Sequence, residues 1–289
     1  MSKRGWWLFL MMAVIWGIPY LLIRVAVRHV DAGLLVWLRT APAALLLAPL
    51  VSAQRLWGVL VRNLGWIVVF GVVEFGIPWF FMASAEEHIT SSLTSLLVCA
   101  VPLLAVIVQR ARRNEHIEPR RYLGLGVGAA GVAFLVGLDV GGGSVKWISL
   151  MLVVLVGYTI GPMILATKLS QVPGVAVTCG ATAVVALAWS PWALTHWPSH
   201  ISSETWSCAA TLSVVCTAGA FVTFSALVRE VGSTRAVVVT YVNTAVAVVL
   251  GIVGLHEPLT AGIAVGFPLV LVGCVIATSR TRGAALQTT

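Results

Sequence analysis

Residues 91–131 read SSLTSLLVCAVPLLAVIVQRARRNEHIEPRRYLGLGVGAAG, and residues 233–273 read STRAVVVTYVNTAVAVVLGIVGLHEPLTAGIAVGFPLVLVG. The two stretches share one layout: an apolar helix dotted with small polar residues, a loop carrying a glutamate, then a second apolar helix studded with glycine. Ser91 falls on Ser233, Glu115 on Glu257, Gly124 on Gly266 and Gly131 on Gly273, every pair 142 residues apart. The register extends outward, with Pro49 on Pro191 and Trp16 on Tyr158. A constant offset held over this distance makes the chain two copies of one unit.

Composition decides the medium. Of 289 residues, 59% are hydrophobic and only 10% charged, against about 25% charged in a soluble domain. The chain is therefore an integral membrane protein. A spanning backbone must satisfy its hydrogen bonds internally. Apolar runs of about 18–25 residues without period-2 alternation select helices over a barrel. The five cysteines lie inside apolar runs, without CxxC or Cys/His ligand spacing. They read as packing residues, and no metal or other cofactor is expected. The net charge of +8 is not a nucleic-acid signature, because its basic residues sit at helix ends.

The hydrophobic pattern predicts ten spans at 6–23, 33–51, 64–85, 91–108, 122–138, 147–167, 172–194, 206–228, 236–255 and 260–278. The fold class is all-α, in two five-helix repeats over 6–138 and 147–279. With the N-terminus inside, fourteen Lys/Arg fall on the inner side, three (Arg24, Arg28, Lys146) on the outer, and Arg39 within a span. This bias places both termini in the cytoplasm. Five helices per repeat make the repeats inverted, an arrangement of secondary transporters with a site near the midplane. Gly141–Gly143 sit in the outer linker between the halves. Lys3 and Arg4 before an apolar run resemble a signal peptide, but no cleavage site follows, so the first helix is expected to stay. Trp6, Trp7, Trp57 and Trp66 fall at the predicted inner membrane boundary and Trp147, Trp192, Trp197 and Trp206 at the outer one, where amphipathic rings settle.

Eight residues form the candidate substrate and coupling site. Glu74 is the only carboxylate placed deep in a predicted span, about 15 Å from the inner face at 1.5 Å per residue. A charge there costs about 2.5–3.5 kcal/mol or more, so it faces a cavity or a partner. Arg39 is the only comparably buried base, about 9 Å below the outer face. It pairs with Glu74, meets a substrate carboxylate, or snorkels outward. Trp16, Tyr20 and Arg24 share one face of span 1. Trp16 and its mate Tyr158 are placed to wall a central cavity, joined by Trp79. Asn243 and Thr244 share a polar face of span 9 that binds substrate or glues helices. The glycine stripes read as close helix packing, and Glu115 and Glu257 as helix-end caps.

These residues resemble the EamA-type branch of the drug/metabolite transporter superfamily. The carrying features are Trp16-Gly17, Arg39 with Pro42, the small helix reaching Pro102, Glu115 with Gly124 and Gly131, and Gly254-Leu255-His256-Glu257-Pro258 with Gly266 and Gly273. The resemblance covers essentially the whole chain. It implies a carrier in the inner membrane, often an exporter of small metabolites. Thr244 stands where such proteins often keep proline, and Glu74 is an acid that a generic member lacks.

The expected function is a secondary exporter of small amino-acid-like or amphipathic metabolites, working by alternating access as a monomer or homodimer in the lipid bilayer, with proton coupling. An intramembrane enzyme and a channel or scaffold remain the alternatives. Against an enzyme, the two aspartates lie outside spans, and HExxH and GxSxG are absent. With no GxxxxGK, ATP does not drive it directly.

Overall fold

The computed structural model describes residues 2–113, 119–139, 145–232, 236 and 238–278. No strand occurs among them, and the helices group into ten segments. The first half holds α1 (Lys3–Ala26), α2 (Ala32–Ala53), α3 (Leu64–Glu86), α4 and α5 (Pro119–Asp139). The second holds α6 (Val145–Lys168), α7 (Gly174–Thr195), α8, α9 (Val239–Leu255) and α10 (Ala261–Thr278). Segment α4 comprises Ser91–Val98 and Val101–Arg113, parted at Cys99 and Ala100. Pro102 supplies no N–H for the ladder there, which explains the break. Segment α8 comprises Ser203–Ser213, a π-turn Val214–Gly219 and Ala220–Val231. A short helix, Trp57–Arg62, leads into α3.

Among the described residues, six helices are long and apolar enough to cross a membrane: α1, α2, α3, α4 over Ser91–Val108, α6 and α7. Tyr122–Val136, Val239–Leu255 and Ala261–Ala277 are apolar but shorter. Glu115, Gly141–Gly143 and Ser233 lie outside the described residues. Trp6, Trp7, Trp57, Trp66, Trp192, Trp197 and Trp206 are exposed on the bundle surface, whereas Trp147 is half-buried because it stacks on His88.

The packing obeys the 142-residue register. Helix α1 packs on α9 and its mate α6 on α4; α1 packs on α8 and α6 on α3; α2 packs on α8 and α7 on α3. The self-mated pairs, α2 with α7 and α5 with α10, are the most extensive contacts of all. The α5–α10 contact has no room for a side chain at its glycine positions. A Cβ on Gly131 would meet Val270 N at 2.6 Å, and one on Gly266 would meet Gly131 O at 2.8 Å. The glycine stripes are thus helix–helix contact surfaces, as close approach requires.

One feature of the backbone departs from the sequence expectation. Segment α3 is not a regular helix, because Val72–Gly76 forms a π-turn. Its counterpart begins at Val214, 142 residues later. Both open on a Val-Val pair. A π-turn inserts one extra residue per turn and re-aims the side chains beyond it, and such turns gather at functional sites.

Candidate substrate site

Helix α2 brings Arg39 into the centre of the bundle, 7% exposed. Its guanidinium carbon sits 3.5 Å from the centroid of the Trp79 ring. Its Nε–H donates to Thr217 Oγ1 at 3.1 Å. Thr217 belongs to the second π-turn, and its hydroxyl donates five residues back to Leu212 O at 2.8 Å. That fixes the acceptor. Stacking a desolvated guanidinium on an indole contributes about 2 kcal/mol. Arg39 is therefore held by a ring from α3 and a hydroxyl from α8, and does not snorkel.

Trp79 continues into an aromatic wall. It stacks on Phe75 at 4.6 Å, and Phe75 meets Phe70 edge-on at 5.5 Å. Tyr158 of α6 approaches the Trp79 indole N–H and lies within electrostatic range of Arg39 and Glu74. Tyr20 of α1, 7% exposed, lies within range of Tyr158 and Arg39.

Glu74 occupies the middle of the first π-turn and does not pair with Arg39. The turn directs its carboxyl onto α6, where Gly161 leaves the space. A Cβ on Gly161 would lie 2.9 Å from Glu74 Cδ, and closer still to Oε2. One turn earlier, Gly157 takes Val73 O, 2.5 Å from where its Cβ would stand. Glu74 Oε2 is buried without a hydrogen-bond partner. Of the alternatives for Arg39, the ion pair with Glu74 is not formed, because the acid packs toward Gly161 of α6 while Trp79 and Thr217 hold the base.

The structure therefore joins Arg39, Trp79, Tyr158 and Tyr20, with Glu74 on the Tyr158 flank. Trp16 stands apart. It packs on Phe224 of α8, the tilted rings 4.9 Å apart, within a separate cluster that includes Phe9, Met12 and Leu227. The wall built from Trp16 and Tyr158 together is not formed, because each packs on the partner of its own helix, α8 or α3. Asn243 and Thr244 are buried on α9, where a Cβ on Gly17 would stand 2.9 Å from Asn243 O. Thr244 Oγ1 donates to Thr240 O at 3.0 Å. Asn243 thus lies at the α1–α9 contact, while Thr244 lies beside Cys99 of α4.

Two polar features were not legible as site elements. Thr217 reads as an ordinary polar residue, and only the repeated Val-Val pair points to its turn. Glu86 reads as a helix-end acid, yet it is 0% exposed with neither carboxyl oxygen in a well-formed hydrogen bond. Glu257 acts as a cap, and on a distant helix. It accepts from Ser91 N, Ser91 Oγ, Ser92 N and Ser92 Oγ at 2.8, 3.0, 3.0 and 2.5 Å. A left-handed His256 (φ 54°) turns the chain there, and Glu257 N–H closes back on Gly251 O at 3.1 Å. This closure is one residue wider than a Schellman motif, and it aims the glutamate at α4.

Two cavities flank the bundle. One of about 310 Å³ is lined by Leu50, Gln54, Gly174, Phe221 and Arg229, and one of about 180 Å³ by His88, Thr90, Leu93, Pro258 and Ile263. Neither reaches Arg39 or Glu74.

Comparison with known proteins agrees with the fold. The profile of the EamA-like transporter family matches residues 3–137 and again 145–279. A solved structure titled only as the crystal structure of a protein is 20% identical, covering 96% of this chain and 98% of that one, with a TM-score of 0.64. At that identity the likeness concerns the fold alone. Among curated proteins, none matches the chain.

Proposed function

The chain belongs to the EamA-like transporter family, and on that premise we propose that it is a secondary exporter of small amphipathic, amino-acid-like metabolites. It is a multi-pass membrane protein, and the family consists of transporters rather than enzymes. In our reading it sits in the cell's inner or plasma membrane with both termini cytoplasmic. Ten spans form two inverted repeats, and it works by alternating access.

The observation that carries this reading is a base, Arg39, buried at the bundle centre against an aromatic wall, with the half-buried acid Glu74 on the Tyr158 flank of that wall. Arg39 keeps donors beyond the Nε–H given to Thr217, and these suit a carboxylate. Glu74 Oε2 has no donor, which suits an ammonium or a proton. Phe75, Trp79 and Tyr158 offer rings between them. A zwitterion with an apolar body matches all three. The charge placement also opposes a plain scaffold, which gains nothing from a lone acid in lipid.

The test compares the medium and the contents of cells expressing the wild type or Arg39→Gln at equal membrane abundance, by untargeted metabolite analysis. The wild type should move a small set of amphipathic zwitterions outward, and the variant should lose at least tenfold of that shift. If both give the same profile, the site is misplaced. If no solute moves with the wild type, the transporter reading itself fails.

A further inference from the structure

Glu86 ends the helix Ile77–Glu86 in complete burial. Neither carboxyl oxygen makes a well-formed hydrogen bond, and a backbone group of Arg24 only weakly favours the acid's charge. Arg24, the nearest base, donates to the Glu86 backbone carbonyl instead. The groups facing this acid are Arg24 and Tyr20 from α1, Arg39 from α2, Tyr158 from α6 and Glu257 from the turn after α9. His88, two residues on, is stacked on Trp147 of α6. Glu257 cannot help, because its oxygens are already taken by four donors from Ser91 and Ser92. It adds a like charge.

The elements around Glu86 are those that close this end of the bundle. Ser91–Val98 packs on α9 and on α1, and α1 packs on Ile77–Glu86. The Glu257 clasp ties the turn after α9 to the start of α4. A carboxylate sealed there without a well-formed hydrogen bond is strongly unfavourable, and a proton removes the charge.

We propose that Glu86 is the proton-binding site of this end: the bundle closes over it with a proton taken from water on the carboxyl, and opening releases that proton. The step is a simple association of one proton with one carboxylate. It rests on the transporter reading and adds a second coupling carboxyl to Glu74. A proton held only by the closed form makes the closed-to-open ratio rise tenfold per unit fall in pH, wherever the open form is ionised.

The test uses the full chain in lipid nanodiscs, spin-labelled at His29→Cys and Leu259→Cys. Both positions are exposed and bracket Glu86 from the α1–α2 and α9–α10 turns. The five native cysteines are buried, and protein without added cysteines sets the background. Pulsed electron paramagnetic resonance should show the shorter distance gaining as pH falls. Glu86→Gln should stay at the shorter distance at every pH, and Glu86→Asp should keep the pH response. Infrared difference spectra across the same pH range should lose one protonated-carboxyl band in Glu86→Gln. A glutamine variant that follows pH like the wild type, a wild type indifferent to pH, or an unchanged infrared spectrum overturns the proposal. No solute is needed, so absent flux would count against the transporter reading alone.

Discussion

Arg39 shows how a single buried charge is stabilised without an ion pair. Stacking on Trp79 and donation to Thr217 replace the carboxylate that the sequence offered as its partner. The burial of Arg39, Trp79 and Tyr20 was legible, because polar and aromatic residues stood alone in apolar runs. The pairing was not, because it depends on a π-turn that no composition signals. The burial of Glu86 was hidden for another reason: its place at a helix end says nothing of what other helices lay over it. Glu74 and Gly161 yield a prediction at this scale. The carboxyl fills the space a side chain at position 161 would need. Gly161→Ala should displace Glu74 and cut flux of the identified solute about tenfold or more, a loss of about 1.4 kcal/mol in the rate-limiting barrier. Ala at exposed Gly126, where a side chain meets nothing, should leave flux unchanged, and equal losses at both sites would contradict the geometry.

Among the elements, the glycine-bearing helices were the most legible, since Gly124, Gly131, Gly266 and Gly273 fall on one face and one register. Their partner was not: the pairing of α5 with α10 comes from the two-fold relation between halves, not from either stripe. The Glu257 clasp belongs to this scale as well. It links the end of α9 to the start of α4 through four hydrogen bonds to a helix N-terminus, where a carboxylate also meets the favourable end of the helix dipole. Glu257→Ala leaves those buried donors empty and should cost about 2–4 kcal/mol. Glu257→Gln, which still accepts, should lose less. Thermal unfolding in detergent checks the order: wild type highest, glutamine next, alanine lowest. An alanine variant as stable as wild type would remove the clasp from the account.

For the whole molecule, the repeat offset proved the most informative quantity in the sequence. It anticipated which helices exchange places, since α1 on α9 mirrors α6 on α4. It did not anticipate the Glu257 contact with Ser91 and Ser92, because Ser233 and Glu115, the positions that match Ser91 and Glu257 in that register, say nothing of which helix start a loop glutamate reaches. The proposed orientation predicts that a reporter fused after Arg113 reads cytoplasmic and one within Gly141–Gly143 reads external. Reversed signals would turn every assigned depth around. The central claim, gradient-driven transport through the Arg39–Glu74 centre, is tested most directly in proteoliposomes holding the solute identified from cells. Flux is followed with and without an imposed pH gradient. The wild type should concentrate the solute when the gradient is present. Glu74→Gln, which keeps the shape without the charge, should exchange solute passively and ignore the gradient. A glutamine variant that concentrates the solute as well as the wild type would contradict the account.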